Sequence, residues 1–185
     1  MTIWQNDDNL SVRFGRDEAN VARGAEIGAF DNGNHVVEFV IDYLDVQSAT
    51  DSILGSVTNT DDDGTGSFGV VVPEGARITA IEVMTETAFT SSGTIGTSTL
   101  LIGLIKASDR STELDFNGFT TASFVGSRLD AVGERTYVEI GTTGAGALIG
   151  TTLSEPGVIS VSNSQHASHP YTAGVARCRL YYRFI

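Results

Sequence analysis

The sequence predicts an all-β protein, a jelly-roll-like β-sandwich with an extended N-terminal arm, and three observations carry that prediction. The C-terminal stretch Val175 to Ile185 places Ala176, Cys178, Leu180, Tyr182 and Phe184 on one face and Arg177, Arg179 and Arg183 on the other. A period of two is the mark of a half-buried strand. Twenty-one glycines and only three prolines, among many Thr, Val and Ile, suit short strands and tight turns and suit long helices poorly. Short β-rich runs also recur at roughly 10 to 20 residue spacing, with turn chemistry and no amphipathic helical pattern between them. At 185 residues the chain has the length for one domain with a substantial core. Residues 1–34 are assigned to the arm and 35–185 to the sandwich.

Within 1–34, Trp4, Leu10, Val12, Phe14, Val21, Ile27 and Phe30 are scattered among Asp, Asn, Gly and Arg without sustained periodicity. So many apolar residues in an extended segment imply docking, on the parent domain or on a neighbour. From Val36 the strand signals begin: Val37, Phe39, Ile41 and Tyr43 alternate with Glu38, Val40, Asp42 and Leu44. Residues 47–66 read as a polar loop with a turn-rich end. Phe68 to Val72 is a short β-rich run, stopped by Pro73-Glu74-Gly75. Ile78 to Thr87 follows, with Ile81, Val83 and Thr85 opposite Glu82, Met84 and Glu86. Ser98 to Lys106 carries Leu100, Leu101, Ile102, Leu104 and Ile105 on both faces, which predicts a central, buried strand. Ser108 to Ser127 holds turns and one short strand; Thr136 to Ile140 and Val158 to Val161 are further short strands, separated by the small-residue connection Gly141 to Gly150. About seven or eight strands fit a jelly roll or an immunoglobulin-like sandwich, and periodicity does not distinguish the two topologies.

Twenty-three acidic against 11 basic residues give a formal net charge of −12. That balance lacks the electrostatic footprint for a phosphate backbone, so no nucleic-acid partner is expected. The acidity serves solubility, or repulsion between free copies before assembly. The single cysteine, Cys178, lies on the apolar face of the last strand and reads as a small buried hydrophobe. The N-terminal residues lack the basic and apolar regions of a signal peptide, so synthesis in a cytoplasm is expected. The longest apolar run, Leu100 to Ile105, is far below the roughly 20 residues that span a bilayer, and no membrane association is expected.

Four patterns invite a chemical reading. Asp61-Asp62-Asp63-Gly64 clusters hard oxygen ligands before a turning glycine, yet the EF-hand frame fails because Val72 stands where a bidentate Glu is required. A solvated acidic turn is the simpler reading. His166 and His169 lack a third nearby ligand for a metal. Gly144 to Gly150 departs from a dinucleotide fingerprint by one position, with Pro156 close behind, and reads better as a close-packed connection. Glu82 with Glu86, or Asp109 with Glu113 and Asp115, would be the carboxylate pairs of a glycosidase, but acidic residues are common in this chain. No catalytic residue, cofactor or metal is therefore assigned, and no enzymatic activity is expected.

Val72-Pro73-Glu74-Gly75-Ala76-Arg77-Ile78, the stretch Leu100 to Asp115 with Ser108-Asp109-Arg110-Ser111 inside it, Gly146 to Leu153, Glu155-Pro156-Gly157 and Thr172-Ala173-Gly174-Val175 share a pattern of strand ends and turns. This pattern resembles the head decoration and capsid-stabilising (cement) proteins of tailed bacteriophages, over residues 68–185. The resemblance implies a non-enzymatic virion protein on the capsid exterior that binds and stabilises the major capsid protein lattice. Trp4, Arg13, Phe14, Arg16 and Arg23 are then the candidate capsid contacts, since aromatics and arginines anchor interfaces. Arg177, Arg179 and Arg183 on an acidic body suggest pairing between copies, most simply a homotrimer. The alternative is a carbohydrate- or receptor-binding module of a phage tail or head fibre, whose signature would be exposed aromatics on one face.

Overall fold

The computed structural model of this chain describes the backbone at 2–5, 11–14, 24–29, 34–46, 52–53, 70–109 and 111–185, and side chains at 35–46, 70–109 and 111–185. Strands β1 (Thr2–Gln5) and β2 (Ser11–Phe14) pair antiparallel as a two-stranded sheet. The remaining strands are β3 (Gly24–Ala29), β4 (Asn34–Asp42), β5 (Ser52–Ile53), β6 (Val71–Val72), β7 (Ala76–Ser91), β8 (Leu101–Lys106), β9 (Glu113–Thr120), β10 (Arg135–Glu139), β11 (Gly157–Ser162) and β12 (Tyr171–Phe184). They form two antiparallel sheets, ordered β10-β7-β12-β4-β3 and β5-β11-β8-β9, with β6 also paired to β11. From β4 onward the chain alternates between them: β4 in the first, β5 and β6 in the second, β7 in the first, β8 and β9 in the second, then β10, β11 and β12 by turns. β4 and β12 lie side by side.

The core sits between the sheets. From the first come Val37, Phe39 and Ile41 of β4, Ile81 and Val83 of β7, Val138 of β10, and Ala176, Cys178, Leu180 and Tyr182 of β12. The second contributes Ile102 and Leu104 of β8, Phe119 of β9, and Ile159 and Val161 of β11. Each such Leu, Ile, Val or Phe stabilises the fold by about 1.5–3 kcal/mol through its burial, before conformational entropy is subtracted. The alternation of β12 is thus the core pattern read from sequence, except that Phe184 at its end is 47% exposed. β8 is buried on both faces as expected, Leu101 and Ile105 included.

Two features depart from simple alternation. β7 buries both Ile78 and Ile81 because its pairing with β12 shifts register between Tyr181 and Tyr182, where Tyr181 faces Ala80 but Tyr182 faces Ile78. A bulge of this kind turns the parity of the side chains, and the Thr79 hydroxyl donates to the Tyr181 carbonyl at 3.0 Å beside it. The second departure is β3. Gly24–Ala29 pairs with β4 from Gly24↔Phe39 to Ala29↔His35, so the edge of the first sheet is drawn from the residues assigned to the arm. Gly-Ala-Glu-Ile-Gly-Ala offers too little apolar alternation to be read as a strand, and a register shift between Glu26 and Gly28 blurs it further.

Candidate interaction face

Residues of the first sheet that do not enter the core form its outer face. Pairing sets Arg179 of β12 directly opposite Glu82 of β7 and Glu38 of β4, and Tyr137 of β10 opposite Glu82. One row across the sheet therefore reads Tyr137, Glu82, Arg179, Glu38. The neighbouring row reads Arg135, Met84, Arg177, Val40. Opposed charges at cross-strand positions are the favourable arrangement on a sheet.

The side chains join into one network. Glu38 holds two arginines, accepting from Arg177 Nη1 at 2.6 Å and from Arg179 Nε at 2.9 Å through its two carboxylate oxygens. Arg177 Nε also donates to Glu86 Oε1 at 2.5 Å. Arg179 Nη1 lies 3.8 Å from Glu82 Oε2 and Arg135 Nη1 lies 3.4 Å from Glu82 Oε1. Tyr181 donates its hydroxyl to Glu82 at 3.3 Å, and its ring lies 6.0 Å from that of Tyr137. Three arginines thus face three glutamates, so this network is neutral and the acidic excess of the chain lies elsewhere. The glutamates are the more sheltered partners: Glu38 and Glu82 side chains are 18% and 15% exposed.

Burial pushes the Glu38 carboxyl up, but the hydrogen bonds from Arg179 and Arg177 and their charges outweigh it and leave the group below the usual carboxylate value. A depressed carboxylate stabilises the fold above the pKa of the unfolded chain, and that contribution is lost as pH falls through the folded value. Glu38→Gln is expected to cost about 1–2 kcal/mol at neutral pH. It is also expected to flatten the acid limb of the stability curve below about pH 4.5. Urea melts of both proteins between neutral and acidic pH check this; parallel acid limbs would show that Glu38 is not the group responsible.

The structure locates the residues singled out from sequence as follows. Trp4 lies in β1 opposite Val12; Arg13 and Phe14 lie in β2 opposite Ile3 and Thr2. Their side chains, together with Arg16, Arg23 and Asp61-Asp62-Asp63-Gly64, lie outside the described residues. Arg177 and Arg179, expected to pair between copies, already have carboxylate partners within the chain. The reason is long-range register: Glu38, 141 residues from Arg179, is brought opposite it only by the β4–β12 pairing. Arg183 is exposed at the end of β12, opposite Asn34 and Arg77. Glu38 and Tyr137 were not singled out from sequence; the outward position of Glu38 in an alternating strand was its only local signal.

The other patterns resolve into structural roles. His169 accepts the Thr94 N–H at Nδ1, 2.8 Å away, in the turn-rich segment between β11 and β12. Asp109 accepts the Thr112 hydroxyl at 2.6 Å and the main-chain N–H groups of Thr112 and Ser111, both at 2.9 Å, and these bonds, the hydroxyl's first, hold its carboxyl down at about 2. Asp115 accepts from the Asn117 N–H at 3.2 Å, and Glu82 and Glu86 contact arginines. Cys178 is fully buried, which pushes its thiol well above the ordinary value. Gly146 packs so closely that a Cβ would meet the backbone of Asn117 and Gly118, a close-packed connection as its small neighbours suggested. Among the described residues no group of three or more His, Cys, Asp or Glu side chains is placed to hold a metal ion, and no helix is long and apolar enough to cross a membrane. Comparison with family models, curated proteins and solved structures finds no match to this chain.

Proposed function

We propose that this chain is a non-enzymatic structural protein of a tailed-bacteriophage virion, a decoration protein that binds the outer surface of the major capsid protein lattice and stabilises it. The observation that carries the reading is the strand order. Chain connections that alternate between sheets, with the first and last strands of the alternation adjacent, support a jelly-roll reading, an architecture of viral capsid and lectin domains. Two segments that carry the sequence resemblance also meet: Gly75 and Ile78 donate to the carbonyls of Leu153 and Thr151, at 2.9 and 3.0 Å. In this reading residues 1–23 reach the capsid through Trp4, Arg13, Phe14, Arg16 and Arg23, and burial of their apolar surface ties neighbouring subunits together.

Deleting residues 1–23 spares β3 but removes β2, which packs against it, so the truncated chain is expected to keep the folded sandwich while losing co-sedimentation with heads that lack the protein. Undiminished binding would remove the arm mechanism. A cryo-electron reconstruction of the virion tests the location: sandwich density outside the head lattice is expected, and a bare head would overturn the decoration reading. The Tyr137–Tyr181 pair on the outer face favours one alternative, a carbohydrate-binding module, because clustered tyrosine rings are a surface on which sugars stack. Glycan-array binding combined with a bare head would favour it.

A further inference from the structure

We propose that the open edge of β10 pairs with the same edge of a second copy of this chain, antiparallel about a two-fold axis through Tyr137, so that Arg135 of each copy faces Glu139 of the other. Among the described residues β10 ends its sheet and has β7 on one side only. The Thr85 N–H donates to the Glu134 carbonyl at 2.9 Å, and bonded positions alternate along an antiparallel pair. Thr136 and Val138 therefore bond towards β7, while Arg135, Tyr137 and Glu139 direct their main-chain groups out of the sheet. The turn that follows takes up those of Glu139, whose N–H donates to Thr142 Oγ1 at 3.2 Å and whose carbonyl accepts from the Thr142 N–H at 3.0 Å. Tyr137 then presents an outward N–H and C=O at the centre of the strand, the arrangement that a second antiparallel strand completes.

Charge selects the register and the occupant. Arg135-Thr136-Tyr137-Val138-Glu139 has opposite charges placed symmetrically about Tyr137. Centring the axis on Arg135 or on Glu139 instead sets like charges face to face; centring on Tyr137 gives two Arg135–Glu139 pairs and sets the two tyrosines against each other. A strand that complements itself in this way fits a copy of itself. Arg135 is 60% exposed and touches Glu82 only at 3.4 Å, and Glu139 has no cation partner among the described residues. Three of the eight large apolar side chains that the described residues expose, Val132, Tyr137 and Ile140, are gathered at 132–140. The inference is independent of the proposed function.

Sedimentation velocity of the full chain is expected to show a reversible dimer, and the short contact sets its Kd on the order of 100 µM. Glu139→Arg is expected to weaken that dimer by about tenfold or more, since it turns two attractions into two repulsions. Arg135→Glu should do the same, and the double variant Arg135→Glu/Glu139→Arg should restore dimerisation with the charges exchanged. Both positions are exposed; thermal melts will check that each variant stays folded, with Glu139→Arg, which breaks no described ion pair, as the cleaner of the two. A chain that stays monomeric to about ten times the expected Kd overturns the proposal. So does a dimer or trimer that Glu139→Arg leaves intact, or a double variant no stronger than the single ones.

Discussion

Gly103→Ala is expected to destabilise the sandwich by about 3–5 kcal/mol, enough to leave a marginally stable domain largely unfolded on mild heating. Gly103 sits in the middle of β8, and a methyl group there would be driven into the Asp115 carbonyl and the backbone of Phe116. These are main-chain atoms, so no side-chain rotation relieves the clash; β9 must move. It is held in place. Thr120 Oγ1 accepts from the Ile102 N–H at 2.8 Å and donates to the Leu100 carbonyl at 2.9 Å, replacing ladder bonds where the pairing jumps from Ile102↔Thr120 to Leu104↔Asp115. On its other side β8 is fixed by β11 from Leu101↔Ser162 to Lys106↔Gly157. At about 2–4 °C per kcal/mol for a chain of this size, the melting midpoint should fall by about 6–20 °C. Gly133→Ala is the control, because φ is +85° there but nothing lies within 4 Å, leaving only the strain of about 1–2 kcal/mol. Equal melting of the Gly103 variant and the wild type would mean that β9 slides freely over β8.

This clash also marks the boundary of what the sequence discloses. The pattern of β12 was legible because its inward residues from Ala176 to Tyr182 meet one environment, the core, and its outward residues another. β8 was legible because neither face tolerates charge. Nothing local in Leu100 to Ile105 says that Gly103 exists to admit the backbone of Asp115 and Phe116, since that contact depends on which strand lies alongside. β3 escaped notice for the same reason: its pairing with β4 is secured by main-chain bonds that glycine and alanine make as well as any residue. The bulge in β7 is half visible, as Ile78 and Ile81 break the alternation that Ile81, Val83 and Thr85 keep.

The outer face shows how strongly long-range register reshapes a reading of charge. Arg177 and Arg179 stand out in an acidic sequence as groups in need of a partner. Once β4 and β7 flank β12, Glu38, Glu82 and Glu86 become those partners, and the face presents balanced pairs rather than a positive stripe. A partner drawn to this face would meet tyrosine rings and local dipoles. Attraction by net charge would have to come from the acidic remainder of the molecule, and any contact made there should weaken with salt. The edge of β10 differs in that Glu139 has no cation partner among the described residues and Arg135, 60% exposed, reaches only Glu82.

Asn163→Ala is the second substitution expected to have a large effect, about 3–4 kcal/mol, because a single buried amide organises one end of the sandwich. Asn163 follows β11 and is 0% exposed. Its Oδ1 accepts from the Thr99 N–H at 3.1 Å, the Thr99 hydroxyl at 3.2 Å and the Gln165 N–H at 3.0 Å. Its Nδ2 donates to the His169 carbonyl at 3.0 Å, which also accepts the Ser98 hydroxyl at 2.8 Å. The turns between β11 and β12 are thereby tied to the residues that lead into β8, and His169 is placed to receive the Thr94 N–H. Alanine removes the acceptor and leaves the buried Thr99 N–H without it. Asn163→Asp keeps the acceptor but loses the donor and sets a carboxylate oxygen against the His169 carbonyl, so it is expected to rescue only part of the loss. Hydrogen exchange separates this from a general loss of stability: the amides of Thr94, Thr99 and Gln165 should lose protection by more than those at the centre of β12. If they exchange as in the wild type while the melting midpoint falls, the amide contributes packing alone and the network does not hold the loop.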